Sequence, residues 1–375
     1  MGARCPTFHK QSSTAVDFQS RAVHRVCADC WLGVIPNCHH CAPTRVTLHF
    51  YFEHNFPQSR LPTPYPVTVA PDPLSHYRIG WCGEFGFRWD VTDALIIDDV
   101  DRDDAGRFRA RDIHGLNDAF VNYVNFGGYP EAVFSETVRK NPRRYIKSDI
   151  IDKVLLRDLP SLYGIADVQE LNSLFNTVAY NSAQEISVED LSQSSGVSKP
   201  TIAKYLEYLE AAFLIKRLRR IDENAARFRK AMTFKVYLTN STMRSALFAP
   251  LDADDAAMGH MVETAVFSQW LHNASYIESL HYARWKKGEV DLVSLDAAQR
   301  PRFAVEVKWS DRPPKDAKEI KALLEFARVN PLARRPLVTT RTISDIKTMD
   351  GIEVEFTPTS LHCYTVGRNT LERSR

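Results

Sequence analysis

Residues 288–293 read GEVDLV and residues 303–309 read FAVEVKW, and the alternation of side chains in these two segments decides how the C-terminal third of the chain is read. Successive side chains of a strand point to opposite faces, so Val290 and Leu292 share one face while Asp291 and Val293 take the other. In the second segment Val305, Val307 and Trp309 form an apolar face, and Glu306 and Lys308 share the opposite one. As neighbouring strands the two segments set Asp291, Glu306 and Lys308 side by side on a solvent-facing surface, with apolar backs against a core. Glu289 is read as a surface charge on the far face from Asp291. The preceding helical segment, GHMVETAVFSQW (259–270), offers Glu263 as a further acid.

Carboxylates on adjacent strands are hard oxygen ligands of the kind that suit Mg²⁺, an ion that keeps several of its waters. A lysine beside them stabilises negative charge building on a phosphoryl group, and a bound metal lowers the pKa of an attacking water. The expected catalytic set is therefore Asp291, Glu306, Lys308 and Glu263, with Asp291 and Glu306 as magnesium ligands. A Glu-x-Lys pair alone is common on half-exposed strands and carries no chemistry. Here it follows an acidic helix and a Gly-Glu-Val-Asp hairpin, and that ordered set resembles the PD-(D/E)xK nuclease superfamily. The resemblance implies a restriction-endonuclease-like α/β domain over 249–345, with 346–375 as a tail.

Upstream, residues 166–248 read as a winged helix-turn-helix. Ser187 suits the cap of a short helix, with Asp190 three residues on. Gly196 makes the turn, Ser198 caps a second helix, and Pro200 falls in its first turn, where a missing N–H is harmless. Ile202, Leu206, Leu209 and Phe213 form the buried stripe of that helix, and LIKRLRRI follows as a strand or wing. In such a layout the second helix meets a major groove. Lys199, Thr201 and Lys204 lie on its outer face as candidate nucleic-acid contacts, followed by Lys216, Arg217, Arg219 and Arg220. Glu207 and Glu210 on the same helix oppose a DNA backbone, so a pure packing role stays open. Residues 111–165 are helical, with Leu116, Phe120 and Val124 four apart before Gly127-Gly128-Tyr129-Pro130 ends the first helix. A second helix runs through Ile146, Ile150, Val154 and Leu155.

Residues 1–110 are irregular and rich in cysteine and proline. Four of the seven cysteines fall as Cys27-x-x-Cys30 and Cys38-x-x-Cys41, the donor complement of a tetrahedral structural zinc site, with His39 and His40 as substitute ligands. Unliganded thiols are the plain alternative. No apolar leader and no run of ~18 apolar residues is present, so the chain reads as cytoplasmic with no membrane partner. A net charge of +2 demands no nucleic acid globally, so any such partner rests on local clusters.

The blocks GGYPEAV (127–133), IIDKVLLRDLPSLYGI (150–165), GVSKPTIAKYLEYLEAAFLI (196–215), FKVYLTN (234–240), GHMVETAVFSQW, GEVDLV and AVEVKWSD (304–311) together resemble the prokaryotic AAA-type ATP-binding proteins that end in domain of unknown function 4143. That family usually opens with a nucleotide-binding domain, and here the sequence departs from it. No G-x-x-x-x-G-K-[ST] occurs, so no phosphate-cradling loop and no nucleotide-binding residue is expected. ALIIDDVD (94–101) imitates the apolar strand ending in acids of an ATPase site, but alone it reads as a buried strand running into a loop. The chain is thus read as a multi-domain α/β protein acting in DNA binding or metal-dependent DNA cleavage. The rival reading is a non-catalytic module that binds a protein partner.

Overall fold

The structure, a computed structural model, describes residues 100–102, 108–129, 136–226, 233–272 and 274–373. The cysteine pairs, the proline-rich stretch and most of ALIIDDVD lie outside the described residues, so the expected zinc site at Cys27, Cys30, Cys38 and Cys41 does too. A short antiparallel pair, β1 (Val100–Arg102) and β2 (Phe108–Ala110), opens the described chain.

Nine further strands make one mixed sheet. They are β3 (Gln184–Ser187), β4 (Ile215–Ile221), β5 (Thr233–Leu238), β6 (Leu280–Trp285), β7 (Gly288–Leu295), β8 (Pro301–Glu306), β9 (Leu337–Thr340), β10 (Asp345–Met349) and β11 (Ile352–Pro358). Their order is β10-β11-β9-β8-β7-β6-β4-β5-β3. The pairs β4–β6, β8–β9 and β9–β11 are parallel, and the other neighbours are antiparallel. The parallel contact of β4 with β6, through Arg219 with His281 and Ile221 with Ala283, fuses the strands of the middle segment to those of the C-terminal one. The boundary expected at 248 is thus crossed by a continuous sheet. The residues after 345, expected as a tail, supply two strands of that sheet and a closing helix.

Helices cover the sheet on both faces. On one side α1 (Ile113–Phe126), α5 (Met258–Ser268) and α7 (Thr359–Arg373) enclose a core containing Phe120, Met261, Val262, Tyr237, Leu292, Val305 and Leu361. On the other, α6 (Lys321–Val329) packs Leu323, Leu324 and Phe326 onto Val290, Val293, Ala304 and Val338. A third core joins the helical run of 142–163 to α2 (Val168–Tyr180), α3 (Val188–Ser195) and α4 (Lys199–Ala211), through Leu155, Phe175, Leu206, Val236 and others. Within 142–163 two stretches, Ile146–Asp152 and Val154–Asp158, are π-helical, and Ile146, Ile150, Val154 and Leu155 are buried as their spacing predicts.

The local signals around α3 and α4 act as read. The Ser187 side chain accepts from the Asp190 N–H, Gly196 sits at φ 72°, and the Ser198 side chain accepts from the Thr201 N–H. Phe213 departs from expectation. The helix ends at Ala211, Phe213 takes a left-handed φ of 55° and is 37% exposed, and Leu214 enters the core in its place. Extending the helical stripe one turn past the true end of α4 put Phe213 on the wrong side. Among the described residues no helix is long and apolar enough to cross a membrane.

Candidate functional site: a buried lysine among four carboxylates

The β6–β7 hairpin closes through the two-residue loop Lys286-Lys287, with Trp285 opposite Gly288. A Cβ at Gly288 would lie 2.7 Å from the Ala322 Cβ and 2.8 Å from the Trp285 ring, so only glycine lets the hairpin close onto α6. Further along, His281 pairs with Val293 but Ala283 pairs with Val290. Two steps on β6 therefore match three on β7, and β7 carries one extra residue at Asp291-Leu292. Such a bulge resets alternation and re-aims a side chain. Val290 and Val293 consequently both pack toward α6, while Leu292 packs toward α5. This corrects the expectation that Val290 and Leu292 share a face.

Asp291 lies just beyond the last regular β7–β8 pair, Leu292 with Val305, and its Oδ2 accepts the Val307 N–H at 2.8 Å. Its Oδ1 accepts from the Lys235 ammonium at 2.9 Å. Lys235 comes from β5, where Phe234, Val236 and Leu238 belong to the helical core and Lys235 and Tyr237 turn the other way. The same Nζ donates to Glu263 Oε1 at 2.9 Å and lies 2.6 Å from Glu289 Oε1. The Tyr237 hydroxyl donates to Glu263 Oε1 at 2.6 Å. Arg284 ion-pairs with the other oxygen of Glu289. Glu306 Oε1 pairs with Lys308 Nζ at 2.9 Å, and Glu306 Oε2 is buried without a hydrogen-bond partner. Lys308 is held at its backbone, where its N–H donates to Thr339 Oγ1 at 2.8 Å and its carbonyl accepts from the Thr339 hydroxyl at 3.0 Å.

Asp291, Glu306, Lys308 and Glu263 are thus drawn to one place. Two features of the sequence reading need correction. Asp291 and Glu306 are 8% and 7% exposed, because helices cover both faces of the sheet, so they are not on a solvent face. Glu289 is not on the far face, since residues two apart in a strand share a side, and it meets the same ammonium as Asp291. Lys235 and Tyr237 were missed. The available signal was a lysine at an alternate position of the apolar strand FKVYL, which needs a charged partner if it is buried.

The charges do not cancel. Glu263, Glu289, Asp291 and Glu306 face Lys235 and Lys308, with Arg284 shared at the edge. Burial and then the Asp291 charge push the Glu306 carboxyl up to about 8, against the pull of Lys308. Burial and Asp291 likewise raise Glu263 to about 7, against Lys235 and Tyr237. Burial also acts to raise Asp291, but Lys235, Lys308 and the Val307 N–H outweigh it and hold that carboxyl below its usual value. Burial works against the charge on Lys235, and Asp291 and Glu263 overcome it, so the ammonium stays protonated.

Among the described residues no group of three His, Cys, Asp or Glu side chains is arranged to hold a metal ion. Three of the four carboxylates, Glu263, Glu289 and Asp291, converge on Lys235 instead, and Glu306 pairs with Lys308. A two-carboxylate magnesium site still fits the chemistry, because Mg²⁺ needs only one or two protein carboxylates beside its waters. Glu306 Oε2 is an unsatisfied buried oxygen, and the Glu306 carboxyl, raised to about 8, would be ionised by a bound cation.

Comparison with known proteins gives two family matches. Residues 258–359, which hold α5 and all four carboxylates, match a domain of unknown function, DUF4143, and residues 117–255 match a second, DUF8612. An uncharacterized protein of Methanocaldococcus jannaschii is 25% identical over 179 residues, 46% of this chain and 38% of that protein. One from Haemophilus influenzae is 25% identical over 183 residues, 48% of this chain and 43% of that protein. The chain therefore spans less than half the length of these curated relatives. A solved assembly of Thermococcus gammatolerans McrB AAA+ hexamers with bound McrC aligns over 54% of this chain and 52% of that one, at 11% identity and a TM-score of 0.23, which is too low to bear on fold or function.

The raised carboxyls set a pH dependence. A group whose pKa is higher in the folded state adds stability that is full below its unfolded pKa, 4.5, and is lost as pH rises through 7 to 8. His362, lowered by burial to about 4, acts with the opposite sign, and only below pH 6.5. In chelator, the thermal midpoint should therefore fall between pH 6.5 and 8, and Glu306→Gln should flatten that fall. An identical slope in wild type and variant would show that Glu306 ionises freely.

Proposed function

We propose that the cluster is a divalent-metal-dependent site for cleaving phosphodiester bonds in nucleic acid. The observation that supports this best is the meeting of Asp291, Glu306 and Glu263, from two strands and a helix, with a lysine two residues from Glu306. Asp291 and Glu306 would hold Mg²⁺, which when bound would acidify a water and offset phosphoryl charge. Lys308, whose side chain is 33% exposed, stands at the solvent side of the cluster, where its ammonium would meet a phosphate oxygen. Thr339 fixes the backbone that carries it. Lys235 and Tyr237 hold Glu263 in place from below.

The middle segment supplies the nucleic-acid contact in this reading. Its order of helix, strand, helix, turn, helix and strand pair supports a winged-helix reading, in which α4 would be the helix offered to a groove. Lys204 is exposed. Lys199 is paired with Glu189, and the Thr201 hydroxyl with Ser198. Arg217 binds Glu210 through two nitrogens, which removes that acid's repulsion along with that arginine's charge. A second reading, a non-catalytic module that binds a protein partner, is favoured by one observation. Lys235 already satisfies three carboxylates, as a purely structural network would.

Cleavage of plasmid DNA and of RNA with Mg²⁺ or Mn²⁺ tests the first reading. Asp291→Asn should abolish metal binding and cleavage together. Lys308→Ala should keep metal binding and slow cleavage by about 10²–10³-fold, as for loss of one transition-state donor. Wild-type protein that cuts no substrate, with both variants indistinguishable from it, would leave the partner-binding reading.

For the contact helix, Lys204→Ala should weaken binding to all DNA sequences alike and reduce the salt dependence by about one charge. Lys199→Ala should do less, because Glu189 already engages that ammonium. Unchanged affinity of Lys204→Ala at low salt would make α4 a packing element.

A further inference from the structure

We infer that Arg244 and Tyr180 form a subsite for one nucleotide of a single-stranded nucleic acid, the guanidinium taking a backbone phosphate and the tyrosine ring stacking on the base. The inference deepens the nucleic-acid reading and rests on it, but binding at this subsite needs neither metal nor cleavage.

Arg244 lies in the short helix Thr242–Leu247, which follows β5, the strand that carries Lys235. The residue is 8% exposed, with its stem covered and its guanidinium still in contact with solvent. The guanidinium carbon sits 5.9 Å from the Tyr180 ring centre and 5.7 Å from that of Phe248. The two rings meet edge to face at 5.5 Å. These are cation–π distances. Among the described residues no carboxylate or carbonyl answers the charge. Arg217 and Lys235 have their acids, whereas the Arg244 side chain makes no hydrogen bond or ion pair. A covered charge without a counter-ion favours an incoming anion, and a guanidinium fixed against aromatic rings offers its planar fork to a phosphate.

Tyr180, the last residue of α2, is 60% exposed. An exposed ring beside a phosphate-binding group suits a nucleotide, whose base and phosphate are joined through one sugar. A base reaches such a ring only when unpaired, which selects a single strand. A partner's carboxylate would also answer the guanidinium, but it would leave the ring unused. The subsite adjoins the carboxylate cluster. Two residues after Tyr180, Ser182 Oγ lies 2.8 Å from Thr264 Oγ1, next in the chain to Glu263, and the Thr264 hydroxyl donates to the His260 carbonyl. Burial, and then the Lys235 and Arg244 charges, hold the His260 imidazole below its usual value, so both cations lie within range of one ring.

Fluorescence anisotropy of the full chain with labelled oligothymidine, in chelator, tests the subsite. Arg244→Gln should weaken binding about tenfold and lower the slope of log affinity against log salt by about 0.7, the single-strand value for one phosphate contact. Tyr180→Ala should weaken binding about tenfold with the slope unchanged, and Tyr180→Phe should bind as wild type does. Unchanged affinity and slope in Arg244→Gln, or no oligothymidine binding by wild type, would overturn the inference. Should Arg244→Gln not fold, nitrogen-15 NMR of the arginine Nε groups reads the same site in wild type, the Arg244 resonance being the one lost in Arg244→Lys. It should move on adding oligothymidine. Movement with oligoglutamate and none with oligothymidine would assign the arginine to a protein partner, and movement with inorganic phosphate alone would leave a free-phosphate site; either overturns the inference. Oligothymidine binding that depends on Arg244, without cleavage in Mg²⁺ or Mn²⁺, would uphold the subsite and sink the cleavage reading. Metal-dependent cleavage that Arg244→Gln leaves unaltered in kcat and KM would do the reverse.

Discussion

A lysine ammonium held by Glu263, Asp291 and Glu289 is the interaction on which the rest of this structure turns. A buried charge is tolerated only where opposite charges and hydrogen bonds replace its water. Here the replacement comes from α5 and β7, while the lysine comes from β5. The β5 side of the sheet and its central strand β7 therefore cannot separate without stranding an ammonium or several carboxylates in an apolar interior. Removing one partner of such a pair is far more damaging than never having built it. The parallel β4–β6 contact carries the same constraint through the backbone. Together they explain why the middle segment and the C-terminal segment, distinct by sequence pattern, share one sheet.

The cluster gathers four carboxyl groups against two lysines and a shared arginine in a covered place, and its members divide the strain unequally. Asp291 receives two lysines and a backbone N–H and stays ionised. Glu306 has one lysine, an empty oxygen and Asp291 for a neighbour, and is the group driven toward its neutral form. Environments that push neighbouring carboxyls apart in this way are typical of sites poised for a ligand or for proton chemistry, although structural ion networks do the same. The partial exposure of Lys308 gives the cluster its opening to solvent.

Much of this was legible in the sequence where the signal was local. The Ser187 and Ser198 caps, the Gly196 turn, the apolar face of Val305, Val307 and Trp309, and the meeting of Asp291 with Glu306 and Lys308 all follow from spacing along one or two strands. What was hidden depended on partners distant in the chain. Lys235 lies 56 residues from Asp291, and nothing local in FKVYL says what its ammonium meets. The bulge at Asp291-Leu292 depends on the register of β6, so simple alternation misplaced Val290 relative to Leu292. The expected solvent face was lost for a similar reason, because α5 and α6 cover the strands from opposite sides. Glu289 is the exception, since alternation alone puts it beside Asp291.

The central claim is that Lys235 is a charged ammonium, hydrogen-bonded to Glu263 and Asp291 and ion-paired with Glu289 inside the fold, and nitrogen-15 NMR of lysine-labelled protein tests it most directly. A sequestered ammonium exchanges its protons slowly, whereas solvated lysine side chains exchange too fast to be seen near neutral pH. The account predicts an ammonium resonance at pH 7 that persists in 0.5 M salt (about a 4 Å screening length), vanishes in Lys235→Met and shifts in Asp291→Asn. A spectrum in which no ammonium resonance depends on Lys235, with its protons exchanging as fast as those of solvated lysines, would contradict it.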